Sequence, residues 1–261
     1  VAQALGLQEA SPGDQAPKAQ TTLPAALGKS ISDRLSISRQ NLERIIADPT
    51  VRLTVHDITG LHQRVDIWRD RIPAMLDALE RAFDIGGIAR ERANILQDLL
   101  LRLDDDSYEP VNRRLLGLLA ARPDLDAKFV RGETLTRLGE LGAPAVPVLE
   151  GHLLRRPRPD IRIMLGLCRA GAAAAGASNE IVRRMTGVRD SDRARRFAAY
   201  LTLHRLGAEN RGGDVLGEGH RIPKDLLHRI AGTVTPASPA SVCISYSKWY
   251  DRLRRERSRT R

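Results

Sequence analysis

The sequence predicts an all-α fold of stacked antiparallel helix pairs, an α-solenoid with a flexible N-terminal leader and a basic C-terminal tail. Three observations predict it. Hydrophobic residues make up 42% of the 261 positions, but aromatic residues only 3%. The core is therefore built from Leu, Ala, Ile and Val, which suits packed helices better than a sandwich or barrel. Apolar residues recur at helical spacing along most of the chain. Three glycines that each close such a run, Gly142, Gly171 and Gly207, stand 29 and 36 positions apart, about one helical pair each.

The elements follow in order. Residues 1–30 hold Pro12, Gly13, Pro17, Pro24 and Gly28 with no helical stripe, and read as a flexible leader. Their opening Ala2-x-Ala4 fits the remnant of a cleaved signal peptide. On that reading the protein is periplasmic or otherwise exported; on the other it is cytoplasmic. Residues 31–108 read as an irregular helical region. Ser32 and Asp33 cap a first helix that Asp48-Pro49 stops, and Thr54 to Arg71 carries a second. Pro73 sits in the first turn of a third, which Gly86-Gly87 ends. Ile88 to Leu103 forms a fourth, and Asp104 to Ser107 is a loop.

From residue 109 to 207 the pattern becomes regular. Helices are expected over Val111–Ala121, Leu125–Leu141, Ile161–Ala170, Ala172–Met185 and Arg193–Leu206, and Ala143-Pro144-Ala145-Val146-Pro147-Val148-Leu149 runs into a further helix that continues through Leu154. Asp160 and the run Asp190-Ser191-Asp192 precede two of these and supply N-caps. After Gly207 the regularity stops. Asn210 to Gly213 and Gly217 to Gly219 read as loops, followed by a short helix over Asp225–Ile230 and a basic, aromatic tail, so that 208–261 forms a final region.

The segment Asp190-Ser191-Asp192-Arg193-Ala194-Arg195-Arg196-Phe197-Ala198-Ala199-Tyr200-Leu201-Thr202-Leu203-His204-Arg205-Leu206-Gly207 resembles the HEAT-like repeat, including the short type found in phycobilisome lyases. Leu138-Gly139 through Ala145-Val146-Pro147-Val148-Leu149 resembles the repeat's inter-helix turn and second helix. The resemblance implies stacked helix pairs over about 109–207. It identifies an architecture and transfers no chemistry.

Charge is the main functional signal. The net charge is +10. Residues 1–110 hold 13 Lys and Arg against 17 Asp and Glu, a net of −4; residues 111–261 hold 29 against 15, a net of +14. A basic half suits an acidic protein partner, nucleic acid or an anionic membrane surface. Arg183, Arg184, Arg189, Arg193, Arg195 and Arg196 span one helix end and the next helix start, and form the candidate anion-binding or partner-binding cluster. Their alternative role is a solvated face. In the tail, Trp249 and Tyr250 stand with Arg252, Arg254 and Arg255, a pattern for capping the open end of the stack or for touching bases or lipid.

No catalytic motif emerges. The histidines do not converge, no Cys/His spacing for zinc is present, and no cofactor is expected. No run is apolar and long enough for a transmembrane helix. Cys168 reads as a small core residue, and its pairing with Cys243 requires export. The expected function is a non-catalytic protein–protein interaction scaffold. The alternative is a nucleic-acid-binding protein like the HEAT-like DNA-repair glycosylases, working through its basic half.

Overall fold

A computed structural model describes residues 25–103, 105–156, 158–186, 188–189, 192–216, 243 and 246. Among them the chain forms α-helices joined by short 3-10 turns, with no strand. The helices are α1 (Ala25–Ala47), α2 (Ile72–Ile85), α3 (Arg90–Leu100), α4 (Asp105–Ala120) and α5 (Gly132–Leu138). They continue with α6 (Val146–Arg155), α7 (Ile161–Ala170), α8 (Ser178–Met185), α9 (Arg193–Arg205) and the single turn α10 (Gly212–Leu216). The all-α expectation is met.

Several boundaries fall where the sequence places them. Asp160 accepts a hydrogen bond from the Arg162 backbone N–H at 2.8 Å and starts α7. Asp192 does the same for the Arg195 N–H at 3.2 Å and starts α9. Each removes one of the unpaired donors at a helix start. Gly142 and Gly171 adopt φ of 68° and 63°, which a side chain would disfavour, and turn the chain after their helical segments. Pro73 lies in the first turn of α2, where its missing N–H costs no bond.

Others differ. α1 starts at Ala25, seven residues before Ser32, because Ala25-Ala26-Leu27 are strong helix formers directly after Pro24. The expected helix over 54–71 is a succession of 3-10 turns at Val55–Ile58, Leu61–Gln63, Val65–Ile67 and Arg69–Arg71. Its apolar spacing is helical, but Gly60 sits at φ 99° and breaks the run. Asp57 also folds back on the Thr54 backbone N–H at 2.6 Å, closing a local turn. α4 begins at Asp105, so the expected loop is shorter; acidic residues are favoured at a helix N-terminus. The helix expected over 125–141 shrinks to α5 between 3-10 turns, because Val130 and Arg131 are extended. Gly212 and Gly213 lie in α10 rather than in a loop, and a Cβ on Gly212 would meet the Tyr200 ring at 2.9 Å.

The packing is sequential. α2 rests on α3, α5 on α7, and α7 on α9, while α4 bridges α2 and α6. One core runs through the described chain, from Leu42 and Ile45 on α1 to Ala198 and Leu203 on α9. Its large anchors include Trp68, fully buried, whose indole N–H donates to the Leu61 carbonyl at 2.8 Å. α5 and α7 cross at Gly139 and Gly166. A Cβ on Gly139 would collide with the Gly166 carbonyl, and one on Gly166 would lie 2.7 Å from the Leu135 carbonyl. Two buried threonines repeat one bridge: Thr136 donates toward the Arg162 carbonyl at 3.0 Å, and Thr202 toward the Met164 carbonyl at 3.0 Å.

The end of the core is closed by a residue pair from far along the chain. Cys168 and Cys243 form a disulfide with Cα atoms 6.2 Å apart, and both are fully buried. Tyr246 packs edge-on against Phe197, with centroids 4.8 Å apart, and donates to the Ala194 carbonyl at 2.7 Å.

Candidate functional surface

Arginine organises this molecule in two ways, and the two must be separated to find a surface. The first use is internal. The last carbonyls of a helix have no partner within it. Here arginines of later segments supply donors to earlier ones. Arg81 donates to the Ile46 carbonyl at 2.6 Å, and Arg92 to that of Val51. Arg137 reaches the Leu101 and Leu103 carbonyls just past α3, at 3.1 and 3.4 Å, and lies 3.5 Å over the Tyr108 ring. Arg169 makes a similar contact farther along, donating to the Thr136 carbonyl at 3.4 Å and pairing with Glu140 at 2.9 Å. Arg205 comes up against Gly171 in the corresponding place after α7.

This recurrence was legible but easily missed. Arg137, Arg169 and Arg205 stand 32 and 36 positions apart, each one residue before Leu-Gly or Ala-Gly. Of these, Arg137 and Arg169 each tie an earlier helical segment to their own.

The second use is external. Arginines join the C-terminal ends of α6 and α8 each to the segment before it. Arg155 donates to the Leu125 carbonyl at 3.3 Å and Arg156 to the Ala127 carbonyl at 3.4 Å. Arg184 in turn donates to the Leu154 carbonyl at 2.7 Å and to that of Arg156.

The six candidate arginines divide here. Arg184 is occupied by those carbonyls and by Glu180. Arg195 pairs with its own cap, Asp192. Arg196 is buried and donates to the Val188 and Val215 carbonyls, both at 2.7 Å. Arg183 is exposed but chelates Glu180 at 2.6 Å; that double pairing holds the Glu180 carboxyl down to about 2. Arg189 and Arg193 are exposed and make no ion pair among the described residues. Two cations outside the expected cluster, Lys128 and Arg158, are likewise exposed and without an ion pair among the described residues. Lys128, Arg158 and Arg189 stand 30 and 31 positions apart, one per inter-helix segment. The tail residues Trp249, Tyr250, Arg252, Arg254 and Arg255 lie outside the described residues.

A second polar centre links α3 to α5. The buried Gln97 amide donates to the Ala93 and Phe129 carbonyls at 3.1 and 2.7 Å. Its oxygen accepts from the Arg131 N–H at 3.0 Å and the Thr134 hydroxyl at 3.1 Å. Beside it Asp98 ion-pairs with Arg131 at 2.9 Å, and burial still pushes its carboxyl up. Burial, reinforced by Arg102, holds His62 down. Glu133 pairs with Arg162 on α7. These groups are matched to one another across three helices, which is the arrangement of a fastening.

His152 on α6 is buried, its Nδ1 has no hydrogen-bond partner among the described residues, and burial lowers its pKa to about 4. Among the described residues no group of three His, Cys, Asp or Glu side chains gathers to hold a metal. No helix among them is long and apolar enough to cross a membrane. No protein-family model, curated protein or solved structure matches the chain.

Proposed function

We propose that the chain is a HEAT-like α-solenoid that acts as a non-catalytic scaffold, holding a protein partner against a charge-polarised surface. The observation that carries this reading is the same contact made in successive units: Arg137 on the end of α3, then Arg169 on the end of α5. A repeated fastening of this kind belongs to an array in which each unit is stabilised mainly by its neighbours. The threonine bridges from α5 to α7 and from α9 to α7 support it in the same register. Such an array presents an extended face, and the +14 of residues 111–261 gives that face its polarity.

Crosslinking in the native cell, followed by fractionation, tests the proposal. A stoichiometric protein partner is the expected result. Recovery of nucleic acid instead, lost at high salt, would replace the scaffold with the nucleic-acid reading, which the exposed Arg189 and Arg193 also favour. The Cys168–Cys243 bond weighs against a DNA-repair role, because disulfides persist in oxidising compartments.

A further inference from the structure

We infer that Cys243 and Tyr246 form a redox-controlled clip on the α7–α9 end of the core. Tyr246 shields the Cys168–Cys243 bond from reductants, and reduction by a dithiol releases both residues while the helices beneath stay folded. The clip works in the same way whatever the protein's surface binds.

Three observations carry it. The first is a shared seat. Cys243 and Tyr246 are both helical and both fully buried. Residues three apart on a helix lie on one face, so the sulfur and the phenol enter the body side by side. Cys243 reaches Cys168 on α7, 75 positions earlier. Tyr246 lands on α9, edge-on to Phe197 with centroids 4.8 Å apart, and its hydroxyl donates to the Ala194 carbonyl at 2.7 Å.

The second is access. Thiol–disulfide exchange needs a thiolate to meet a sulfur directly. Cys168 and Cys243 are both 0% exposed, so a reductant reaches the bond only after Tyr246 has left its seat. One thiolate of the dithiol then attacks the Cys243 sulfur, the S–S bond breaks, and Cys168 leaves as a thiolate that takes up a proton. The reductant's second thiol attacks the mixed disulfide, and Cys243 leaves in the same way. The cystine gains two electrons and two protons, and the dithiol is oxidised to its own disulfide.

The third is what remains. The Cys168 Sγ lies 3.7 Å from the Leu201 carbonyl, so a reduced thiol has an acceptor already in place. α7 is packed on both α5 and α9. The Thr202 hydroxyl still donates to the Met164 carbonyl at 3.0 Å, and Ile163, Leu167, Ala198 and Leu203 stay buried between the helices. What the bond decides is therefore where Cys243 and Tyr246 sit. Phe197, 4% exposed under Tyr246, is the ring that loses its cover on reduction.

The test uses the full chain and excess dithiothreitol at neutral pH, with timed alkylation and mass spectrometry to read the rate of reduction. Tyr246→Phe removes one hydrogen bond and is expected to speed reduction about twofold to tenfold. Tyr246→Ala also removes the ring contact and is expected to be faster still. Hydrogen exchange then compares oxidised with fully reduced wild-type protein. Peptides holding Tyr246 and Phe197 are expected to lose protection, while those from α2 to α5 and the far-ultraviolet circular dichroism stay unchanged. Equal reduction rates in the wild type and both variants would overturn the clip. So would loss of the helical signal in step with reduction, unaltered exchange around Tyr246 after complete reduction, or two free thiols in the untreated chain. The exchange comparison needs no variant, so a variant that fails to fold leaves it decisive.

Discussion

Replacing Gln97 by Leu isolates the fastening between α3 and α5. The Gln97 side chain is 1% exposed and makes four hydrogen bonds, to the Ala93 and Phe129 carbonyls, the Arg131 N–H and the Thr134 hydroxyl. Leucine matches its volume but supplies none of them. The Thr134 hydroxyl can turn to its own helix, and the Ala93 carbonyl keeps its helical partner. The Phe129 carbonyl and Arg131 N–H are then left as orphans next to the core. Each buried unsatisfied group costs about 1–3 kcal/mol, so the substitution is expected to destabilise by about 3 kcal/mol. Urea unfolding followed by circular dichroism measures it. Gln97→Glu keeps the two acceptor bonds but turns an oxygen toward the Phe129 carbonyl at neutral pH. Its cost is expected to shrink as the carboxyl protonates and becomes a donor. A Gln97→Leu loss below about 1 kcal/mol, or a Gln97→Glu cost that does not change with pH, refutes the reasoning.

Three further predictions concern other parts of the molecule. Gly139→Ala is expected to destabilise by about 1–3 kcal/mol through its clash with the Gly166 carbonyl. Gly117→Ala, exposed within α4 with nothing near its Cβ, is expected to stabilise by about 0.5–1 kcal/mol, so the pair read by thermal unfolding should show opposite signs. His152 resists protonation in the fold down to about 4, against 6.5 unfolded. The unfolded chain therefore binds the proton first, and stability should fall as pH drops through that window, by about 3 kcal/mol in all; His152→Leu should flatten the slope between pH 6.5 and 5 in urea titrations. Opening the Cys168–Cys243 bond, which closes a span of 75 residues, should cost about 4.5 kcal/mol on the chain-entropy model, seen by comparing oxidised protein with the Cys168→Ser/Cys243→Ser variant.

The sequence makes helix ends legible where a dedicated residue marks them. Asp160 with Gly171 bounds α7 within a residue, and Asp192 fixes the start of α9. It misleads where apolar spacing is helical but local bonds favour a tighter turn. Between Val55 and Arg71, Gly60 and the Asp57–Thr54 bond outweigh periodicity. The candidate surface was only partly readable. Arg184, Arg189 and Arg196 are the same residue within a short span, yet one grips neighbouring carbonyls, one faces water and one is buried. Only the position of the preceding segment decides which, and that is a tertiary fact. The recurrence of Lys128, Arg158 and Arg189 was present in the numbering, but a mixed Lys/Arg signal in an arginine-rich chain does not stand out. Tyr246 illustrates the reverse case: the tail's aromatic character was plain, while its seat on Phe197 and Ala194 was not.

Most of the arginines that bind carbonyls of another segment share a direction; Arg196, which reaches forward to Val215, is an exception. Arg81, Arg92, Arg137, Arg155, Arg156, Arg169 and Arg184 all reach back to residues about 28–41 positions earlier. A ribosome delivers the chain N-terminus first, at several residues per second. At these seven arginines the acceptors are therefore made first, and the later segment brings the donors. The Cys168–Cys243 bond can form only once Cys243 has emerged, after all seven of these arginines and their acceptors.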